Sequence, residues 1–345
     1  MPPGRRESLL EITRPINAEA RTLVRAYAQL SKEKTNPMAF KSAIEWTDAT
    51  WNPWHGCHKI SAGCKNCYMF RDKTRYGQDP NTVVRSGDKT FYAPLKWKEP
   101  RLIFTCSWSD FFIEEADPWR DEAFAIMALT PQHTYQVLTK RPDRMYEYLR
   151  TPDRKRHIAV QVMSISNQMA KSARSHEGRI KLDHFNACFA GDGPFKNIWL
   201  GVSAEDRDTY ITRVPYLAMT PASTKFLSFE PLLGDIGDLM LDGVFEGSYQ
   251  WAIAGGESGP NARSTNPNWI RSIRDQSAAA GVAFHFKQWG EFIPLDQMKA
   301  AGLTASMVDL MNANTIGRGF LRVGKKKAGR LLDGREWNEM PEIAA

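Results

Sequence analysis

Short apolar or β-branched runs recur along the chain at Leu102–Cys106, Thr134–Leu138, Ile198–Val202, Phe226–Phe229, Trp251–Ala254 and Val282–Phe286. Runs this short, bounded by polar residues and glycines, read as buried strands. Most are separated by enough chain for a helix. Over Asp117–Leu129, Trp119, Ala123, Ile126, Met127 and Leu129 fall near helical spacing, and Pro118 suits a first turn. Asn268–Ala280 repeats the pattern with Trp269, Ile270 and Ile273, and Gly281 follows as a stop. Strands alternating with helices predict a parallel sheet, closed towards a (β/α) barrel or open and doubly wound.

Polar residues and glycines follow each run. They read Ser107-Trp108-Ser109-Asp110, Thr139-Lys140-Arg141, Ser203-Ala204-Glu205, Glu230-Pro231, Gly255-Gly256-Glu257-Ser258-Gly259 and Lys287-Gln288-Trp289-Gly290. Parallel strands send their C-terminal ends to one edge, where the sites of both architectures lie. Six such ends carrying Asp, Lys, Glu, Glu, Glu and Lys predict one shared site. Residues 44–295 carry this rhythm, and a charged extension, residues 1–43, precedes it. Residues 150–195 interrupt it, and an insertion of that length inside a βα repeat points to function or motion. Residues 296–345, with Lys325-Lys326-Lys327 and Leu331-Leu332-Asp333-Gly334-Arg335, read as an ordered appendage.

Composition narrows the class. Of 345 residues, 42% are hydrophobic and 25% charged, which excludes a disordered or collagenous chain. No apolar run is long enough for a membrane span, and the first 25 residues lack the apolar core of a secretory signal. Five cysteines, an odd number, do not make a disulfide framework, so a reducing cytoplasm is expected. The net charge of +7 says little until it is localised. Between Arg150 and Lys181 stand eight Lys/Arg against Asp153 and Glu177, so contact with DNA or RNA phosphates is expected at residues 150–181.

Three of the five cysteines fall within eleven residues as Cys57-x6-Cys64-x2-Cys67. Thiolates this close can face one soft metal centre. Three readings stand: a structural zinc site completed by His55 or His58, unmetallated thiols, or a [4Fe–4S] cluster with one iron left open, since clusters ordinarily take four thiolates. Cys106 and Cys188 sit in apolar settings and read as buried small hydrophobes.

A three-cysteine loop after a first strand, followed by βα units with polar strand ends, resembles the radical S-adenosylmethionine (SAM) superfamily. The first gap is three residues longer than the common Cys-x3-Cys-x2-Cys, and Asn66 stands where an aromatic is usual, with Tyr68 following the last cysteine. A resemblance covering Ile44 to Pro341 is to a phage and prophage family of three-cysteine proteins of unknown function. It is carried by Trp51-Asn52-Pro53-Trp54-x-Gly56-Cys57, Gly63-Cys64-x-x-Cys67-Tyr68, Leu138-Thr139-Lys140-Arg141-Pro142, Gly201-Val202-Ser203, Phe229-Glu230-Pro231-Leu232-Leu233-Gly234, Gly255-Gly256-Glu257-Ser258-Gly259 and Lys287-Gln288-Trp289-Gly290.

The radical SAM resemblance implies a partial (β/α) barrel of about six parallel strands. It also implies a cluster on Cys57, Cys64 and Cys67 whose open iron binds SAM, and a 5′-deoxyadenosyl radical formed with an electron from a donor. Gly255, Gly256 and Glu257 are similar to the motif that holds the methionine amino group, but that motif normally follows the second strand, so their partner is either SAM or substrate. Ser109 and Asp110 occupy that second-strand place. Ser203 and Glu205 would lie beside the ribose or methionine, Tyr68 beside the cofactor, and Glu230 and Lys287 towards substrate. The expected reaction is modification or repair of a nucleic-acid base or nucleotide. The rival is a zinc-stabilised, non-catalytic nucleic-acid-binding module.

Overall fold

The computed structural model describes residues 42, 44–172, 195–241, 243, 245–304, 306 and 319–342, all within the unit Ser42–Ala345. Apart from Ser42, the expected N-terminal extension lies outside the described residues, as do residues 173–194 of the insertion.

Seven strands follow one another across one all-parallel sheet. They are β1 (Ala49–Trp51), β2 (Leu102–Thr105), β3 (Thr134–Thr139), β4 (Ile198–Ser203), β5 (Thr224–Phe229), β6 (Trp251–Gly255) and β7 (Ala283–Gln288). The sheet curls into a half-barrel flanked by helices, a partial TIM-like barrel. It holds one strand more than the six expected. The first strand that the resemblance places before the cysteine loop is β1, which is three residues long and includes exposed Thr50, so it makes no apolar run. Six helices of eight residues or more are described: α1 (Tyr68–Arg75), α2 (Asp117–Ala128), α3 (Pro142–Arg150), α4 (Arg154–Ser172), α5 (Arg207–Met219) and α6 (Pro267–Ala279).

Alternation along the strands divides the side chains between two cores. Ile198, Leu200 and Val202 of β4, Leu227 and Phe229 of β5, and Phe284 and Phe286 of β7 join the main core, which also takes the apolar faces of α2 and α6. The opposite face collects Trp199, Phe226, Trp251 and Ile253 with Trp46 in a second cluster. These large side chains lie near the starts of their strands, so they floor the inside of the half-barrel. Residues of the same parity further along β5, β6 and β7 are Ser228, Gly255 and Lys287, with Glu230 just past β5. The inner face is therefore aromatic at the N-terminal end and polar where the strands finish.

The free edge of β7 does not remain bare. Phe286 N donates to Trp337 O at 3.0 Å and Glu339 N to Phe284 O at 3.2 Å, so the C-terminal segment covers the edge. Asp333 fixes the segment by accepting from Arg271, Arg274 and Gln297. Of the expected appendage, residues 296–304, 306 and 319–342 are described. Among the described residues, no helix is long and apolar enough to cross a membrane.

Candidate functional site at the strand ends

After β1 the chain makes a short antiparallel pair, Trp54–His55 with Val84–Arg85, and enters the cysteine loop. Side chains from far along the sequence hold that loop. Ser61 Oγ donates to Glu205 Oε1 at 2.8 Å, and Asn66 Nδ2 donates to Glu257 Oε2 at 3.0 Å and Asn261 O at 2.7 Å. A Cβ on Gly63 would lie 2.4 Å from Glu205 Oε1, so only glycine lets the loop rest on that carboxylate. Beyond Cys67, the Tyr68 hydroxyl donates to Ser107 O just past β2. The loop is thus tied beyond the C-terminal ends of β2, β4 and β6.

The two carboxylates that brace it are saturated. Glu205 is fully buried and accepts from Lys140, from Arg213 at 3.1 Å and from Ser61. Burial pushes its pKa up, but Lys140 and Arg213 outweigh burial and hold the carboxyl below the usual range. Glu257 takes Arg263 in a two-pronged pair, at 2.8 Å from Nε and 2.6 Å from Nη2, plus the Arg263 backbone N at 2.9 Å. Burial opposes here too, and the Arg263 and Asn66 hydrogen bonds leave the Glu257 carboxyl lowered. Sequence gave Glu257 to a ligand's ammonium; in the structure that acceptor is filled by Arg263.

Asp110 is spent in the same way. It accepts from Thr139 Oγ1 at 2.6 Å, Lys140 N at 2.8 Å and Phe112 N at 2.9 Å, and pairs with Arg141 at 3.2 Å. Ser109 Oγ donates to Gly56 O at 2.6 Å, locking the β2 end to the start of the loop. Ser203 is buried at the end of β4, and its carbonyl accepts from Arg213 at 2.8 Å.

Glu230 and Lys287 do meet, with Nζ 2.7 and 2.9 Å from the two carboxylate oxygens. The adjacent glycines have different tasks. A Cβ on Gly256 would stand 2.0 Å from Trp289 O, so that glycine serves backbone packing. A Cβ on Gly255 would meet Lys287 Cβ at 3.4 Å and Glu230 Cδ at 3.6 Å, so its bare backbone faces the ion pair.

Cys57, Cys64 and Cys67 are free and half-buried. Arg141 Nη1 stands 3.8 Å from Cys57 Sγ, and Ser61 Oγ 3.7 Å from Cys64 Sγ. Burial pushes the Cys57 thiol up to about 12; the Asp110 charge adds to this and Arg141 opposes it. Burial raises Cys67 as well, and a charge at Cys64 disfavours ionisation of both neighbours. Three thiolates this close need positive charge between or beside them. Cys106 is buried, as expected, and Cys188 lies outside the described residues.

His58 is paired with Glu115, and His55 Nδ1 is buried without a hydrogen-bond partner. Among the described residues, no three His, Cys, Asp or Glu side chains converge as ligands of a single ion. In the basic stretch, Arg150 pairs with Glu147 at 2.8 Å and Arg154 with Asp121 at 2.9 Å. Arg174, Arg179 and Lys181 lie outside the described residues.

Sequence reasoning assigned Ser61, Arg213 and Arg263 no role and saw Asn66 only as a residue standing where an aromatic is usual. It saw Lys140 and Arg141 only as polar residues after a strand. A half-barrel with a three-cysteine loop braced across its strand ends defines the class. Residues 41–341 match the family described as protein of unknown function (DUF5131), and the chain belongs to that family. No curated protein and no solved structure matches it.

Proposed function

We propose that this chain is an iron–sulfur enzyme in which Cys57, Cys64 and Cys67 hold a [4Fe–4S] cluster whose open position takes SAM. The observation that supports this most is the placement of three free, half-buried thiols on one loop braced over the C-terminal ends of a parallel half-barrel. A cluster takes each thiolate on a different iron, so its ligands stand further apart than those of one tetrahedral ion. Zinc completed by His58 is disfavoured because that ring is engaged by Glu115. When bound, the cluster and SAM would supply one-electron chemistry that side chains lack.

The chain's own residues bind, orient and shield. Arg141 offsets negative charge at Cys57. Glu205 and Glu257 fix the loop relative to the sheet. Glu230 and Lys287, beside the side-chain-free backbone of Gly255, offer polar groups to substrate, and the tryptophan floor beneath excludes water. The proposed substrate is a nucleic-acid base or nucleotide, with a separate protein supplying the electron in a reducing cytoplasm.

Anaerobic reconstitution with iron and sulfide tests the ligand set. Cys57→Ala, Cys64→Ala and Cys67→Ala should each abolish iron loading, while Cys106→Ala and Cys188→Ala retain it. Equal iron in all five variants would overturn the assignment, and stoichiometric zinc without a cluster would favour a zinc-stabilised binding module.

A further inference from the structure

The helix that follows the cysteines has an unusual outward face. Met69 and Lys73 of α1 are buried, so the opposite stripe at i, i+3, i+7 and i+8 from Tyr68 points outward. That stripe, extended one residue past the helix, reads Tyr68, Arg71, Arg75, Tyr76. Tyr76 is 71% exposed and Tyr68 43%, unusual for side chains that bury well. Lys59 and Lys65 of the cysteine loop are also exposed, so this segment carries four exposed cations and two exposed tyrosines. Asp72 is the one acidic residue of the segment, and it pairs with Arg71.

The face borders the site. A Cβ on Gly259 would lie 2.6 Å from Arg71 Nη1, so this guanidinium packs on the loop leaving Glu257. Tyr68 reaches Ser107 at the end of β2.

We infer that this face of the cysteine loop and α1 binds single-stranded nucleic acid and delivers it to the strand-end site. Cations alternating with open aromatic rings match a strand's phosphates and bases together, whereas an acidic protein would need only the cations. The basic stretch of α4 is less suited. Its Arg154 is stacked 4.1 Å from the Tyr148 ring and paired with Asp121, and Arg150 at the end of α3 is paired with Glu147. This inference rests on the proposed nucleic-acid substrate and adds where the strand lies.

The test is fluorescence anisotropy of labelled single-stranded DNA and RNA oligonucleotides against the full chain, across several salt concentrations. Wild type should bind with affinity falling steeply with salt. Lys65→Ser with Arg75→Ser should flatten the log–log slope by about 1.4, at roughly 0.7 per phosphate of a single strand. Tyr76→Ala should weaken binding roughly 5- to 100-fold with the slope unchanged, because stacking carries no counterion release. Lys155→Ser with Arg156→Ser on α4 should have little effect. Wild-type binding that survives the α1 substitutions but is lost with the α4 pair would overturn this inference and leave the substrate class standing. Loss of binding to an acidic electron-donor protein, with oligonucleotide affinity intact, would also overturn it. No binding by wild type at low salt would remove the nucleic-acid substrate itself, while iron content still reports separately on the cluster.

Discussion

Glu205 and Glu257 differ from Glu230 in a way that separates construction from chemistry. All three follow strands of one parallel sheet and look alike in sequence. Glu205 and Glu257 are saturated by arginine or lysine and by the cysteine loop itself. Glu230 instead pairs with Lys287 beside the bare backbone of Gly255. A strand-end carboxylate can thus be part of the frame or part of the working surface. What distinguishes them is whether a neighbouring element has already taken their oxygens.

Glu205→Ala is the most damaging way to test the division. It would leave Lys140 and Arg213 unpaired, with side chains only 20% and 10% exposed. Loss of about 3–5 kcal/mol in urea unfolding is expected, together with faster alkylation of Cys64 in the apo protein. Stability within 1 kcal/mol of wild type, on the scale of about 0–1 kcal/mol for a surface pair, would make Glu205 an ordinary surface carboxylate.

The next largest effect comes from pH. Burial lowers the His285 pKa from 6.5 to about 4, with Arg330 and Lys287 adding to it. The folded state therefore binds fewer protons than the unfolded chain between those values, so stability is full above pH 6.5 and falls as pH drops towards 4. The loss is up to about 3 kcal/mol, and His285→Phe should flatten it. Glu205 and Glu257, held low, lose their contributions only when pH falls below the usual carboxylate range. Two separate declines in urea midpoint are expected, and one decline common to both proteins would contradict this.

Smaller changes should follow at the other two carboxylates. Glu257→Gln keeps the shape but weakens the Arg263 pair, for about 1–2 kcal/mol, and should speed alkylation of Cys67. Glu230→Gln weakens a pair whose side chains are only 20% and 14% exposed, so it should cost about 1–2 kcal/mol and leave iron content unchanged while SAM or oligonucleotide binding shifts. If Glu230→Gln instead lost iron as the cysteine variants do, the distinction between frame and working surface would fail.

The sequence carried the sheet well because β2 to β7 are short apolar runs, and it carried the thiols because they are adjacent in the chain. The apolar pattern alone did not mark β1, which is too short and polar to stand out; only the radical SAM resemblance placed a first strand before the cysteine loop. The bracing of the loop was illegible for another reason. Ser61 and Glu205 are 144 residues apart, and Asn66 and Glu257 are 191 apart. Such pairs exist only because parallel topology brings all strand ends to one edge. Arg263 lies six residues beyond Glu257, but no helix or strand period links them, so its capture of that carboxylate was equally hidden.

The central claim is that three thiols carry a cluster with a position open to SAM. The most direct measurement is the EPR spectrum of the anaerobically reconstituted, reduced full chain with and without SAM. A [4Fe–4S] signal whose g values shift on adding SAM, absent in Cys57→Ala, is the expected result. A signal indifferent to SAM, or a protein that takes up zinc and no cluster, would contradict the account.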